Sequence, residues 1–138
     1  MSWSSRARGL STAKTRLPHG IAAKRYVLHQ YQDMARTRGL AWALTDDEFS
    51  ELTQRTCHYC GRQPASISGY VKRYPESGGF IYNGVDRLDN RLGYAVDNCV
   101  PCCGLCNRMK MALGVDEFLV HVAMIAHLHP RAIEAPIF

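Results

Sequence analysis

At 138 residues the chain suffices for one small domain with a modest core. Although 46% of its residues are hydrophobic, no apolar run approaches the roughly 20 residues that span a bilayer, and the opening "MSWSSRARGL" lacks a signal-peptide core. Neither a membrane protein nor a Sec-secreted one is expected. The formal charge is +5, and residues 1 to 32 hold six cations, Arg6, Arg8, Lys14, Arg16, Lys24 and Arg25, with no acid.

Residues 1 to 20 therefore read as a basic arm. A run of cations gains by releasing counterions along a polyanion, which makes Arg6, Arg8, Lys14 and Arg16 candidate phosphate contacts. The same Arg- and Ser-rich, acid-free composition also suits a solvated tail or an organellar transit peptide. From residue 21 onward a single domain is expected. "IAAKRYVLHQYQDMARTR" spaces Ala23, Val27, Tyr31 and Met34 for an amphipathic helix over 21 to 38, stopped by Gly39. A second helix follows, capped by Thr45 with Glu48 three residues on as a capping box, so that helices occupy 21 to 56. Residues 61 to 79 are polar and turn-rich, which predicts a hairpin loop. "FIYNGVDRL" predicts a strand with Asp86 near its end, and "YAVDNCV" the returning strand. "CCGLCNRMKMAL" then predicts a short helix, completing a core over 57 to 113, and a last helix starts at Asp116 and is halted by Pro130, within 115 to 129.

Six cysteines punctuate this order: Cys57, Cys60, Cys99, Cys102, Cys103 and Cys106. Without an export signal, paired thiols point to a metal rather than to disulfides. "CHYC" supplies Cys57 and Cys60, and "CCGLC" supplies Cys103 and Cys106, enough for four thiolates around Zn(II). The register is open, because Cys99 and Cys102 share the same spacing. Cys103 and Cys106 are favoured, since they lead straight into the helix-forming "NRMK".

The strand, loop, strand and helix with zinc pairs on both sides resemble the HNH, or ββα-metal, nuclease superfamily. The likeness is to its zinc-bearing recombination endonuclease VII branch and to small phage-type HNH proteins, and it extends over about residues 21 to 128. It rests on "CHYCG", "GVDR", "DN" at Asp97 and Asn98, and "CNRMK". The resemblance implies an α+β fold: a small zinc-stapled ββα-metal core with flanking N- and C-terminal helices. It further implies that Asp86 and Asn107 hold a catalytic Mg(II) or Mn(II) beside the structural zinc, and that Asn98 braces the loop between the strands. Arg87, Arg91, Arg108 and Lys110 are then expected on the nucleic acid.

The departure is Arg87, which stands where most of the superfamily has a histidine base. A guanidinium stays protonated and cannot take a proton from water. In another arrangement of the superfamily, "DRGH", the histidine lies three residues after the aspartate; on that register Asp89 takes the base position and Arg87 clamps the phosphate. None of the six histidines is expected to serve as the base; His58, inside the first cysteine pair, comes nearest to the expected site through the zinc.

Two function classes follow. The first is a metal-dependent endonuclease hydrolysing phosphodiester bonds, with DNA favoured over RNA as the partner. The second is an inactive HNH-fold zinc module that binds nucleic acid, for example within a ribonucleoprotein. The expected compartment is the cytoplasm of a host cell of phages or mobile elements, with an organellar matrix as the alternative.

Overall fold

A computed structural model of the chain describes residues 17 to 132. The expected phosphate contacts Arg6, Arg8, Lys14 and Arg16 lie outside the described residues.

Helix α1, Ile21–Thr37, buries Ala23, Val27, Leu28 and Ala35 and ends before Gly39 at φ 66°. Met34, expected on the buried stripe, is instead exposed, because the face that meets the core runs through residues 27, 28, 31 and 35. Helix α2, Asp46–Gln54, starts with the expected capping box: Thr45 Oγ1 accepts from Glu48 N at 3.2 Å, and Glu48 Oε2 accepts from Thr45 N at 2.8 Å. Its three leading acids also complement the positive end of the helix dipole. Phe49 and Leu52 of α2 pack on Val27 and Leu28 of α1 and on Leu44, Val85 and Tyr94 in one core. Aromatic rings fill it, Tyr31 meeting Phe49 edge-on at 5.4 Å and Trp42 leaning on Tyr94 at 5.0 Å.

Residues 61 to 79 are more ordered than the expected loop. They hold a two-residue strand β1, Ser66–Ile67, a short helix α3, Gly69–Arg73, and a 3-10 turn at Pro75–Ser77. Ser68 caps α3 by accepting from Tyr70 N, and the Tyr70 ring docks on Tyr26 of α1 at 5.6 Å. Polar composition concealed this aromatic anchor.

The single strand expected through "FIYNGVDRL" is two. Strand β2, Ile81–Tyr82, pairs antiparallel with β1, whereas β3, Gly84–Arg87, pairs antiparallel with β4, Cys99–Cys102. Asn83 breaks the run. Its buried amide donates to the carbonyls of Arg55 and Arg62, and its N–H donates to Thr53 O, so it is spent on the segments around α2 rather than on a ladder. Strand β4 also starts later than expected, because Tyr94 to Asn98 are used in the loop. In the β3–β4 register Asp86 faces Val100 and Arg87 faces Cys99. Gly84 is required there: a Cβ would lie 2.5 Å from the Tyr31 hydroxyl, which accepts from Val85 N at 3.0 Å.

Helix α4, Gly104–Lys110, and helix α5, Val115–Leu128, complete the chain. The β3–β4–α4 unit is the ββα core, flanked by α1 and α2 on one side of the sequence and α5 on the other. No single helix among the described residues is long and apolar enough to cross a membrane.

Candidate functional site

The thiols of Cys57, Cys60, Cys103 and Cys106 all lie within 4.8 Å of one another. Four sulfurs held about 2.3 Å from a tetrahedral zinc are separated by roughly 3.8 Å, and Cys60 Sγ to Cys103 Sγ is 3.7 Å. The donor set and its spacing therefore fit structural zinc. Burial pushes the Cys57 thiol up, yet backbone N–H groups of Cys103, Cys60 and Tyr59 donate to it and bring it down to about 6, which favours the ligating thiolate. Cys99 and Cys102, on β4, lie outside the four-thiol group, although Cys102 is buried against Cys57, Cys103 and Cys106. Burial pushes both thiols up, Cys99 to about 11, but it raises the Cys106 thiol as well, so what separates Cys99 and Cys102 from the ligand set is their position outside the four-sulfur group.

On the other side of α4 lies a small cleft of about 130 Å³, lined by Asp86, Arg87, Asn107 and Arg38 among others. Asp86 sits at the middle of β3 and is 6% exposed. Its Oδ2 accepts from Tyr59 Oη at 2.7 Å and lies 3.2 Å from Lys110 Nζ. Its Oδ1 has a longer contact, 3.4 Å, to the same ammonium. Asn107, exposed on α4, makes no side-chain hydrogen bond among the described residues. Arg87 is fixed: NH1 donates to the carbonyls of Asn90 and Leu92 at 2.7 and 2.6 Å, and its guanidinium lies 5.4 Å from the centre of the Tyr94 ring. Asn98 ties the loop from inside, accepting from Asp89 N and donating to the carbonyls of Asp89 and Gly93.

Two expectations are corrected by this geometry. Asp89 does not line the Asp86 cleft; it turns away into a different groove. There its carboxylate accepts from Arg91 Nε, NH2 and N at 2.8 to 3.0 Å, and these bonds hold it down at about 2. A carboxylate so satisfied is a poor proton acceptor. Arg91, expected on the nucleic acid, is exposed and pairs with Asp89. Lys110, also expected there, is fully buried beneath Asp86, donating to Arg87 O as well at 3.4 Å. Arg108 does reach solvent on α4.

Sequence reasoning missed Tyr59, Arg38 and the true position of Lys110. Arg38 carried no signal, since it lies about fifty residues from the motif. Tyr59 lies inside "CHYC" and could only be placed once that turn packed on β3; its ring also meets Phe118 of α5 edge-on at 5.5 Å. Burial and the bond to Asp86 raise its phenol far above the ordinary value, so it remains a donor. No histidine lines the cleft, and His58 is exposed, its ring against Tyr59.

Among solved structures the chain is similar to the rare-cutting HNH restriction endonuclease PacI, with a TM-score of 0.52 and 24% identity, over 96% of this chain and 99% of that one. The chain carries the HNH fold. An uncharacterised protein of Acanthamoeba polyphaga mimivirus, R423, is 35% identical over 107 residues, 78% of this chain but only 17% of that protein. No family model matches. In the HNH frame the thiol cluster staples the ends of the ββα unit, while β3 and α4 supply the oxygen donors of the cleft.

Proposed function

We propose that this chain is a metal-dependent endonuclease that hydrolyses phosphodiester bonds of DNA at the Asp86–Asn107 cleft. The observation that carries the reading is the convergence on one cleft of a nearly buried carboxylate, a carboxamide with no side-chain hydrogen bond among the described residues, and two arginines, Arg38 and Arg87. The similarity to a restriction endonuclease of the same fold supports the choice of substrate.

The donors fit a hard divalent ion. Asp86 Oδ2 is committed to Tyr59, but Oδ1 has nothing nearer than 3.4 Å, longer than a strong charge-assisted bond. With Asn107 it offers two oxygens of the kind Mg(II) and Mn(II) prefer. When bound, the ion neutralises the scissile phosphate and makes water more acidic. The protein's part is to orient and to hold charge. Tyr59 and Lys110 fix the Asp86 carboxylate, and Arg87, pinned by two carbonyls and Tyr94, keeps a fixed positive charge for the phosphate. Arg38 adds an exposed one. With no imidazole and with Asp89 turned away, no side chain in the cleft among the described residues is poised as a base, so cleavage should be slow and should rise with pH.

One observation favours the second reading, a nucleic-acid-binding module without activity: the Lys110 ammonium already neutralises Asp86. The test is supercoiled plasmid incubated with Mg(II) or Mn(II) across pH 6 to 9. Nicking by the wild type that is lost in Asn107→Ala, a variant of an exposed residue, supports the nuclease. Retention of DNA with no cleavage at any pH or metal leaves the binding module.

A further inference from the structure

Helix α5 carries more apolar surface than the fold covers. Phe118 alone on it is buried, with Val122 and Ala126 half-covered on the same side. Val120, Met124 and Leu128, at successive four-residue steps, form a second stripe on the opposite side and are 61%, 58% and 74% exposed. A groove of about 540 Å³ runs along this stripe, with Leu113 on its wall and Asp116, Glu117 and His121 at its rim. A solvated helix face has no reason to be apolar, and a contiguous stripe of this kind marks an interaction surface.

The charges say what covers it. The first turn of α5 holds Asp116 and Glu117, while His127, His129 and Arg131 gather at its other end. Neither Glu117 nor Arg131 has an ion-pair partner among the described residues. A second α5 laid antiparallel brings the acidic end of each copy onto the basic end of the other. With the two-fold axis at Met124, Val120 meets Leu128 on both sides of the axis, and the acidic first turn of each copy lies toward the end of the other, where Arg131 stands in the turn after the helix. Such self-complementarity is what an isologous interface requires.

We infer that this chain forms a two-fold symmetric homodimer through the Val120, Met124 and Leu128 face of α5. The helix is about 21 Å long and 10 Å wide, so the contact lies near the small end of specific interfaces and its dissociation constant should be micromolar. The inference stands on α5 alone and does not depend on the nuclease reading.

Sedimentation equilibrium of the zinc-loaded full chain, from 1 to 300 µM, tests it. The wild type should shift from monomer to dimer over that range. Met124→Glu should remain monomeric at every concentration with unchanged zinc content and circular dichroism. Glu117→Arg should weaken association at least tenfold, and Glu117→Arg with Arg131→Glu should restore it. A wild type that stays monomeric, a Met124→Glu variant that still dimerises, or a charge reversal that the double variant fails to rescue overturns the inference.

Discussion

Helix α4 borders two sites of opposite character. Toward the chain's first cysteine pair it presents Cys106 to a cluster of four chemically identical donors. Toward β3 it presents Asn107 to a cleft of mixed donors, and it drives Lys110 underneath. The first site needs only that four thiols meet, and paired spacing narrows it to two registers. The second depends on which way each side chain leaves its backbone, which is decided by packing. A metal site of like ligands is thus readable from a motif, while a polar cleft on the same helix is not.

The largest effect should come from breaking the thiol cluster. The segments it joins, the turn at 57 to 60 and the start of α4, bury little besides the cysteines and Tyr59, and a structural zinc contributes on the order of 10 kcal/mol to folding. Chelation or Cys106→Ser should therefore unfold the domain, seen as loss of helical dichroism with loss of zinc by elemental analysis. Cys99→Ala should keep one zinc per chain. A Cys99→Ala protein without zinc would move the ligand set onto β4 and erase the contrast between the two sites.

How far the sequence carried can be seen in particular residues. The capping box at Thr45 and the helix stop at Gly39 followed from local rules, whereas Cys-x-x-Cys spacing left two candidate pairs on the second side and only the helix-forming "NRMK" favoured Cys103 and Cys106. The split of one strand at Asn83 did not follow from local rules, since a buried asparagine bonding to Arg55 and Arg62 is a tertiary event. Nor did the direction of Asp89, whose neighbour two residues on, Arg91, captures it. Lys110 had a signal that went unused. It follows the ligand Cys106 by four residues, so both lie on one face of α4, and a helix that points a thiolate inward points its i+4 neighbour inward too.

The Asp86–Lys110 pair gives the next largest effect and changes what a simple deletion of Asp86 can mean. Although Asp86 is no zinc ligand, Asp86→Ala leaves a fully buried ammonium with no counter-charge, which costs about 3 to 5 kcal/mol where such pairs are broken. A lower melting temperature is expected beside any loss of cleavage. Asp86→Asn with Lys110→Met removes both charges together and should recover most of that stability while still lacking the carboxylate. If Asp86→Ala melts like the wild type, the ammonium has another outlet and the cleft is more open than its geometry implies.

The smallest effect separates the two carboxylates of "DRLD". Arg91 holds Asp89 down at about 2, against an ordinary value of 3.8. A folded-state value below the unfolded one means that Asp89 favours folding above the ordinary carboxylate range and that this contribution fades as the pH falls toward 2. Because the pair is solvent-exposed, screening keeps its effect on stability small, and it should weaken further in high salt. Carboxyl-detected NMR titration should find Asp89 protonating well below the ordinary carboxylate value in the wild type and near that value in Arg91→Ala. At neutral pH, Asp89→Asn should leave plasmid cleavage and its rise with pH unaltered, because the carboxylate faces away from Asp86 and Asn107. A cleavage rate that collapses in Asp89→Asn while zinc content and melting temperature hold would return Asp89 to the site as its base, and would require the loop from Asn90 to Gly93 to swing it into the cleft when nucleic acid binds.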